Sequence, residues 1–223
     1  MLNLNKIKGV IFDLDGVLVD TEHYQSQAWI EVLKNYHISL SQKDMLNYKG
    51  KSAEVIEEEL KKKYGLEIKK GELVQKRNKK VLEIFKNKEI KLMPYSKDAV
   101  EFFKKQGKKL AIASTGAKKE VLLKLQKTDL LPYFLAVTSR SDVKKGKPYP
   151  DIYLIATKKL DLKPKECLAI EDTQPGVESA KSAGLFCFAV PNEFSKNQEF
   201  LRADKVFQNL KEVVDFFKSK RLK

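Results

Sequence analysis

After Pro94 the sequence alternates short apolar runs with stretches whose apolar residues recur at three- and four-residue spacing, and this alternation constrains the fold more than any other feature. Residues 110–113, 134–138, 167–170 and 186–190 read as strands. Between them, residues 97–106, 118–127, 150–160 and 177–183 read as helices, with Gly107 and Gly184 as C-terminal stops. An earlier apolar run, residues 7–12, ends at Asp13. Strands separated by helical crossovers pair in parallel, and a parallel sheet needs cover on both faces. The expected fold is therefore α/β, a doubly wound, Rossmann-like parallel sheet.

One block departs from the alternation. From residue 21 to 85 the pattern is helical throughout: Trp29, Val32 and Leu33, then Val55, Ile56 and Leu60, then Leu73, Val81, Leu82 and Phe85 keep helical spacing. Because it interrupts the sheet after its first strand, it should sit above the carboxyl edge as a cap, joined by connectors near residues 16–20 and 87–93. The expected division is a core of residues 1–16 and 92–223 with an inserted α-helical cap domain over 17–91.

A hydrophobic fraction of 42% beside 33% charged residues suits a globular chain. No run of 18 apolar residues is present to cross a bilayer, and the N-terminal residues lack a basic segment followed by an apolar one, so the expectation is a cytoplasmic protein with no membrane partner. Cys167 and Cys187 lie in strand-like runs and read as buried free thiols. Two histidines exclude a histidine-rich metal centre. The net charge of +14 raises the question of nucleic acid, yet only Arg77, Arg140, Arg202 and Arg221 among 44 basic residues are arginine, and the lysines are spread along the whole chain. Specific base and phosphate recognition favours the arginine fork. The charge reads as a lysine-rich surface that attracts small anionic substrates, with no specific nucleic acid, on a chain expected to be a monomer.

The polar residues at the strand ends converge on one edge: Asp13, Ser114, Glu171 and Asp172, with the loop Lys144-Lys145-Gly146-Lys147-Pro148 after the third strand. Asp13 and Asp15 stand two residues apart in extended chain, so they project to one side about 6.5–7 Å apart along the strand, room for a phosphoryl group. One carboxylate can attack phosphorus while the other protonates the leaving oxygen and then takes a proton from water. Two carboxylates and a phosphate need cationic compensation, which calls for Mg2+ on oxygen ligands and a lysine on the phosphoryl oxygens. Asp172 and Lys147 are the candidates.

The segment Asp13-Leu14-Asp15-Gly16-Val17-Leu18-Val19-Asp20-Thr21-Glu22 resembles the first motif of the haloacid-dehalogenase-like hydrolase superfamily. In order along the chain, Ala111-Ile112-Ala113-Ser114-Thr115 resembles the second, Gly146-Lys147-Pro148-Tyr149-Pro150-Asp151 the third, and Ala169-Ile170-Glu171-Asp172-Thr173 with Gly176 the fourth. The helical insert is similar to the cap of the β-phosphoglucomutase-like branch. The resemblance implies that Asp13 forms an aspartyl-phosphate and that Asp15 is general acid and then base, lending its backbone carbonyl to the metal. It further implies that Asp13 and Asp172 bind Mg2+, with Glu171 as an additional acidic group. Ser114 would hold a phosphoryl oxygen, Lys147 would offset charge, and backbone N–H groups near Leu14 and Thr115 would complete the cradle.

Taken singly these residues carry less. Ser114 alone reads as a helix N-cap, Lys147 as one more solvated lysine, and Glu171-Asp172 as an acidic pair at a helix start. Their ordered recurrence favours the functional reading. An acid at Asp15 resembles the phosphate-transferring members, since dehalogenases and phosphonate-cleaving members lack one there. The resemblance also supplies a second reading, a hexose phosphate mutase, whose relatives carry a histidine in the first cap helix and an arginine after the cap glycine loop. The corresponding places hold Gln25 and Ala53, with Lys51 a poor substitute for a bidentate fork. Hydrolysis of a small phosphorylated metabolite such as a sugar phosphate is favoured, with specificity expected from Lys49, Lys51 and Ser52. A non-enzymatic, nucleic-acid-binding scaffold is the third reading, opposed by the intact acidic and lysine positions.

Overall fold

The computed structural model describes residues 4–48 and 51–220. In chain order the regular elements are β1 (Gly9–Phe12), β2 (Val19–Asp20), α1 (Glu22–Lys34), α2 (Gln42–Met45), α3 (Ala53–Tyr64), α4 (Glu72–Asn87), β3 (Lys91–Leu92) and α5 (Ser96–Lys105). Then follow β4 (Lys109–Ala113), α6 (Lys118–Lys127), β5 (Ala136–Thr138), α7 (Asp151–Lys159), β6 (Cys167–Glu171), α8 (Gln174–Ser182), β7 (Phe186–Ala189), β8 (Lys205–Val206) and α9 (Leu210–Ser219).

Six of the strands form one sheet in the order β5-β4-β1-β6-β7-β8, every pair parallel. The chain winds from β1 out through β4 to β5, then returns to β6 on the other side of β1. The carboxyl ends of β1, β4 and β6 therefore meet at the switch point, where open α/β sheets place ligands. The register sets this edge: Ile11 pairs with Ala111 on one side and Ala169 on the other, and Phe12 with Ile112 and Ile170.

Alternation along β1 assigns its side chains to two cores. Val10 and Phe12 face the layer containing Val100 and Phe103 of α5, Val121 and Leu125 of α6, and Val213 and Phe217 of α9. Ile11 faces the opposite layer, with Ile152, Tyr153 and Ala156 of α7 and Val177 and Ala180 of α8. All four residues of β1 are buried, which is why the strand reads as an unbroken apolar run.

The helices α1 to α4 enclose a separate core of Trp29, Val32, Leu33, Ile38, Met45, Tyr48, Ile56, Leu60 and Leu73. Glu57, buried on α3, accepts hydrogen bonds from the backbone N–H groups of Gly71 and Val74, so it caps α4 across the bundle. The connectors expected from sequence are not plain linkers: Val19 and Asp20 pair antiparallel with Leu92 and Lys91, closing the insert on a two-stranded ribbon. β8 and the amphipathic α9 extend the fold beyond the elements expected from sequence. Among the described residues no helix is long and apolar enough to cross a membrane, and both cysteines are free and buried.

Candidate active site

β1 delivers Asp13 to the carboxyl edge, its N–H donating to Ile170 O at 2.9 Å. The chain then turns tightly at Gly16, whose φ of +83° suits a residue without Cβ. A Cβ there would also collide with the Asp172 carboxylate and the Asn192 amide. The turn thus brings the first motif against the end of β6.

Lys147 spans the site. Its Nζ lies 2.6 Å from Asp13 Oδ1 and also donates to Glu171 Oε1. Glu171 is fully buried, taking Tyr153 Oη at 2.7 Å on the same oxygen and the Asp172 N–H at 3.2 Å on the other. Gly176 of α8 packs so closely on the Glu171 carboxylate that any Cβ would overlap it. Asp172 Oδ2 accepts from Asn192 Nδ2 at 2.8 Å, and the same amide donates to Gly16 O at 3.1 Å.

These charges set one another's proton affinities. Burial, reinforced by Glu171 and Asp15, pushes the Asp13 carboxyl up to about 7 against the pull of Lys147. Burial and the carboxylates of Asp13 and Glu171 likewise push Asp172 well above its ordinary range. Burial alone would depress the Lys147 ammonium, but Asp13 and Glu171 hold it above its usual value. Carboxylates gathered around one lysine leave excess negative charge that a divalent cation would offset.

The donor set fits such a cation. Asp13, Glu171 and Asp172 each place a carboxylate oxygen within 4.8 Å of the others. Asp172 Oδ1 is buried without a hydrogen-bond partner among the described residues, an arrangement that costs free energy unless something binds there. Hard oxygen donors of this kind suit Mg2+.

Above this edge lies a cavity of about 410 Å³ between core and insert. Asp13, Asp15, Thr115, Gly116, Lys147 and Asp172 line its floor, while Gln25, Trp29, Tyr48, Lys51, Ser52, Ala53 and Arg77 line its roof. Ser114 is fully buried and its Oγ accepts from the Gly116 N–H at 3.1 Å, so it supports the loop that presents Thr115. Lys51 pairs with Glu59 at 2.8 Å, and Ser52 is the N-cap of α3 through the Val55 N–H. Lys49 lies outside the described residues. Trp29 belongs to the insert core and also meets the cavity.

Besides Tyr153, four residues at the site carry no signal in the sequence. Lys124 of α6 is fully buried, with Nζ 2.5 Å from Asp15 Oδ1 and 2.6 Å from Glu120 Oε1. Asp15 Oδ1 accepts from Thr21 as well. Glu120 in turn accepts from Gln25 Nε2 at 2.6 Å and stands 3.8 Å from an Arg77 nitrogen, while Arg77 donates to Gln25. Burial would raise the Glu120 carboxyl, yet Lys124 and Arg77 hold it down to about 2. An acid and a lysine four apart on a helix ordinarily make a solvated pair, and Arg77 was one basic residue in a basic helix. Asn192, the fourth, follows β7 in no motif, and only the folded edge brings it to Asp172.

The chain has recognisable relatives. The haloacid dehalogenase-like hydrolase family model matches residues 10–190. A phosphorylated carbohydrates phosphatase of Thermotoga maritima is 34% identical over 183 residues, covering 80% of this chain and 82% of the relative. A beta-phosphoglucomutase of Bacillus subtilis is 32% identical over 213 residues, covering 93% and 92%. Among solved structures, CbbY from Rhodobacter sphaeroides in complex with phosphate aligns with a TM-score of 0.83 at 23% identity, covering 93% of this chain and 96% of that one, a likeness of fold.

Proposed function

This chain belongs to the haloacid dehalogenase-like hydrolase family, and from that premise we propose that it is a Mg2+-dependent phosphatase of small phosphorylated metabolites, sugar phosphates foremost, working through a phosphoryl group carried on Asp13. The observation that carries this reading is the contact of Lys147 Nζ with Asp13 Oδ1 at 2.6 Å, on the floor of a cavity whose volume of about 410 Å³ can take a phosphorylated sugar. Residues 17–91 act as the cap and the remainder as the catalytic core.

In this reading the substrate phosphate enters between Asp13 and Thr115, where Lys147 and the backbone N–H groups near Leu14 and Thr115 offset its charge. Asp13 attacks phosphorus; the bond to the leaving oxygen breaks, and Asp15 supplies that oxygen with a proton. Asp15, now ionised, takes a proton from a water that attacks the phosphorylated Asp13, releasing phosphate and restoring both carboxyl groups. Asp13, Asp172 and the Asp15 carbonyl would hold Mg2+, with Glu171 beside them. Bound there, the cation would supply Lewis-acid neutralisation of phosphoryl charge. The insert roof excludes bulk water during the first transfer.

Hydrolysis rather than mutase chemistry is supported by the roof. Arg77 is the only arginine between residues 17 and 91, and it is engaged by Gln25 and Glu120. Ala53 offers no charge for a second phosphate. A panel of sugar phosphates assayed with Mg2+ and with chelator tests the proposal. Release of inorganic phosphate supports it; interconversion of hexose phosphates without phosphate release contradicts it and favours the mutase.

A further inference from the structure

Lys124 is a lysine with no exposed surface whose Nζ contacts two carboxylates and stands 4.6 Å from the centre of the Phe85 ring. Stability does not account for such a group, because a buried ion pair roughly breaks even with an apolar replacement of similar volume. α6 already buries Val121 and Leu125 against the sheet and could have continued with another apolar residue.

The arrangement around Asp15 suggests a different use. Among the described residues, both donors that reach its carboxylate, Thr21 Oγ1 and Lys124 Nζ, bind Oδ1. Two donors on one oxygen fix the rotation of the carboxyl plane and leave Oδ2 bound by neither, on a residue that lines the cavity. Lys124 could not hold that position unaided, since a flexible four-carbon stem carries a large rotamer entropy. Glu120 provides the second anchor at 2.6 Å and is itself held by Gln25 of α1. Phe85 closes the remaining side.

We propose that Lys124 is a positioning residue for Asp15, orienting its carboxyl toward the leaving oxygen, and that Glu120 fixes Lys124 in that role. The inference rests on the reading of Asp15 as general acid. A structural ion pair that only docks α6 would affect all substrates alike, whereas a positioning residue affects those that need a proton.

The discriminating measurement is kcat/KM, which reports the first transfer, on two substrates with opposite needs. A sugar phosphate has an alkoxide leaving group that must be protonated; p-nitrophenyl phosphate leaves as a stable phenolate. Lys124→Met should lower kcat/KM for the best sugar phosphate of the panel by about 100-fold, the scale of lost acid catalysis, and that for p-nitrophenyl phosphate by less than about 5-fold. Glu120→Gln/Lys124→Met removes one charge of each sign and should show the same selectivity, which keeps the test open if the single variant misfolds. Equal losses on both substrates, or no loss on either, overturn the positioning role. Wild type that hydrolyses neither substrate instead overturns the phosphatase reading beneath it.

Discussion

Tyr153 Oη donates to Glu171 Oε1 at 2.7 Å, joining the first turn of α7 to the last residue of β6 directly behind the cluster of acids. Burial and the Glu171 carboxylate push the Tyr153 hydroxyl well above its ordinary value, so it remains a donor at any working pH. Glu171 also takes Lys147, and its backbone runs straight into Asp172. Partners behind a metal ligand tune affinity by about 10–100-fold. Tyr153→Phe should therefore raise the Mg2+ concentration for half-maximal activity by about tenfold, leaving kcat at saturating Mg2+ nearly unchanged. A Mg2+ titration identical to wild type would show that Glu171 needs no such support.

The turn at Gly16 makes a second prediction. Its φ of +83° and the closeness of Asp172 and Asn192 leave no space for a methyl group. Gly16→Ala should cost about 1–3 kcal/mol from backbone strain and should also raise the Mg2+ concentration for half-maximal activity by shifting Asp172. Chemical denaturation and a Mg2+ titration measure the two effects separately. Normal stability with normal metal response would contradict the close packing of Gly16 on Asp172 and Asn192.

The metal-free protein should show a pH dependence of defined sign. Asp13 is held at about 7 against an ordinary 3.8, so over that interval the folded state binds more protons than the unfolded one. Stability from this group is present at low pH and lost as pH rises from about 4 through 7. Asp172 is shifted the same way. In chelator, Asp13→Asn should therefore melt higher than wild type at neutral pH, with the gap closing toward about pH 4. Saturating Mg2+ should close it at neutral pH as well, by stabilising wild type. A gap independent of pH and metal would contradict this.

The outline of the sheet was readable because β1, β4, β6 and β7 are short apolar runs whose burial is nearly complete. Lys147 was readable from its Gly-Lys-Pro context after a strand. Lys124 was not, because burial of a helical lysine is decided when α4 lands on α6, a tertiary event that leaves no local trace. The same holds for Arg77, which reaches Glu120 only across the interface between insert and core. Edge features were lost for a different reason. β8 is two exposed residues, and the β2–β3 ribbon is two residues on each side, too short for periodicity to register.

Glu57 provides a test of the insert alone. It is buried and satisfies N–H groups at the start of α4. Glu57→Ala should destabilise the protein by about 1–2 kcal/mol, the cost of a lost helix cap. The core site should keep its Mg2+ response, because Glu57 lies in the insert and its partners are Gly71 and Val74 rather than Asp13, Asp15, Glu171 or Asp172. A variant with unchanged melting temperature would remove the capping role.

Asp13 is proposed to receive the phosphoryl group, and Asp13→Asn puts that role to the test. Asparagine keeps the shape and the position at the end of β1 but lacks the nucleophilic carboxylate. Phosphate release from the best sugar phosphate in saturating Mg2+ should fall by at least about 1,000-fold, with the circular dichroism spectrum unchanged. Mg2+-dependent release at a rate comparable to wild type would contradict the account.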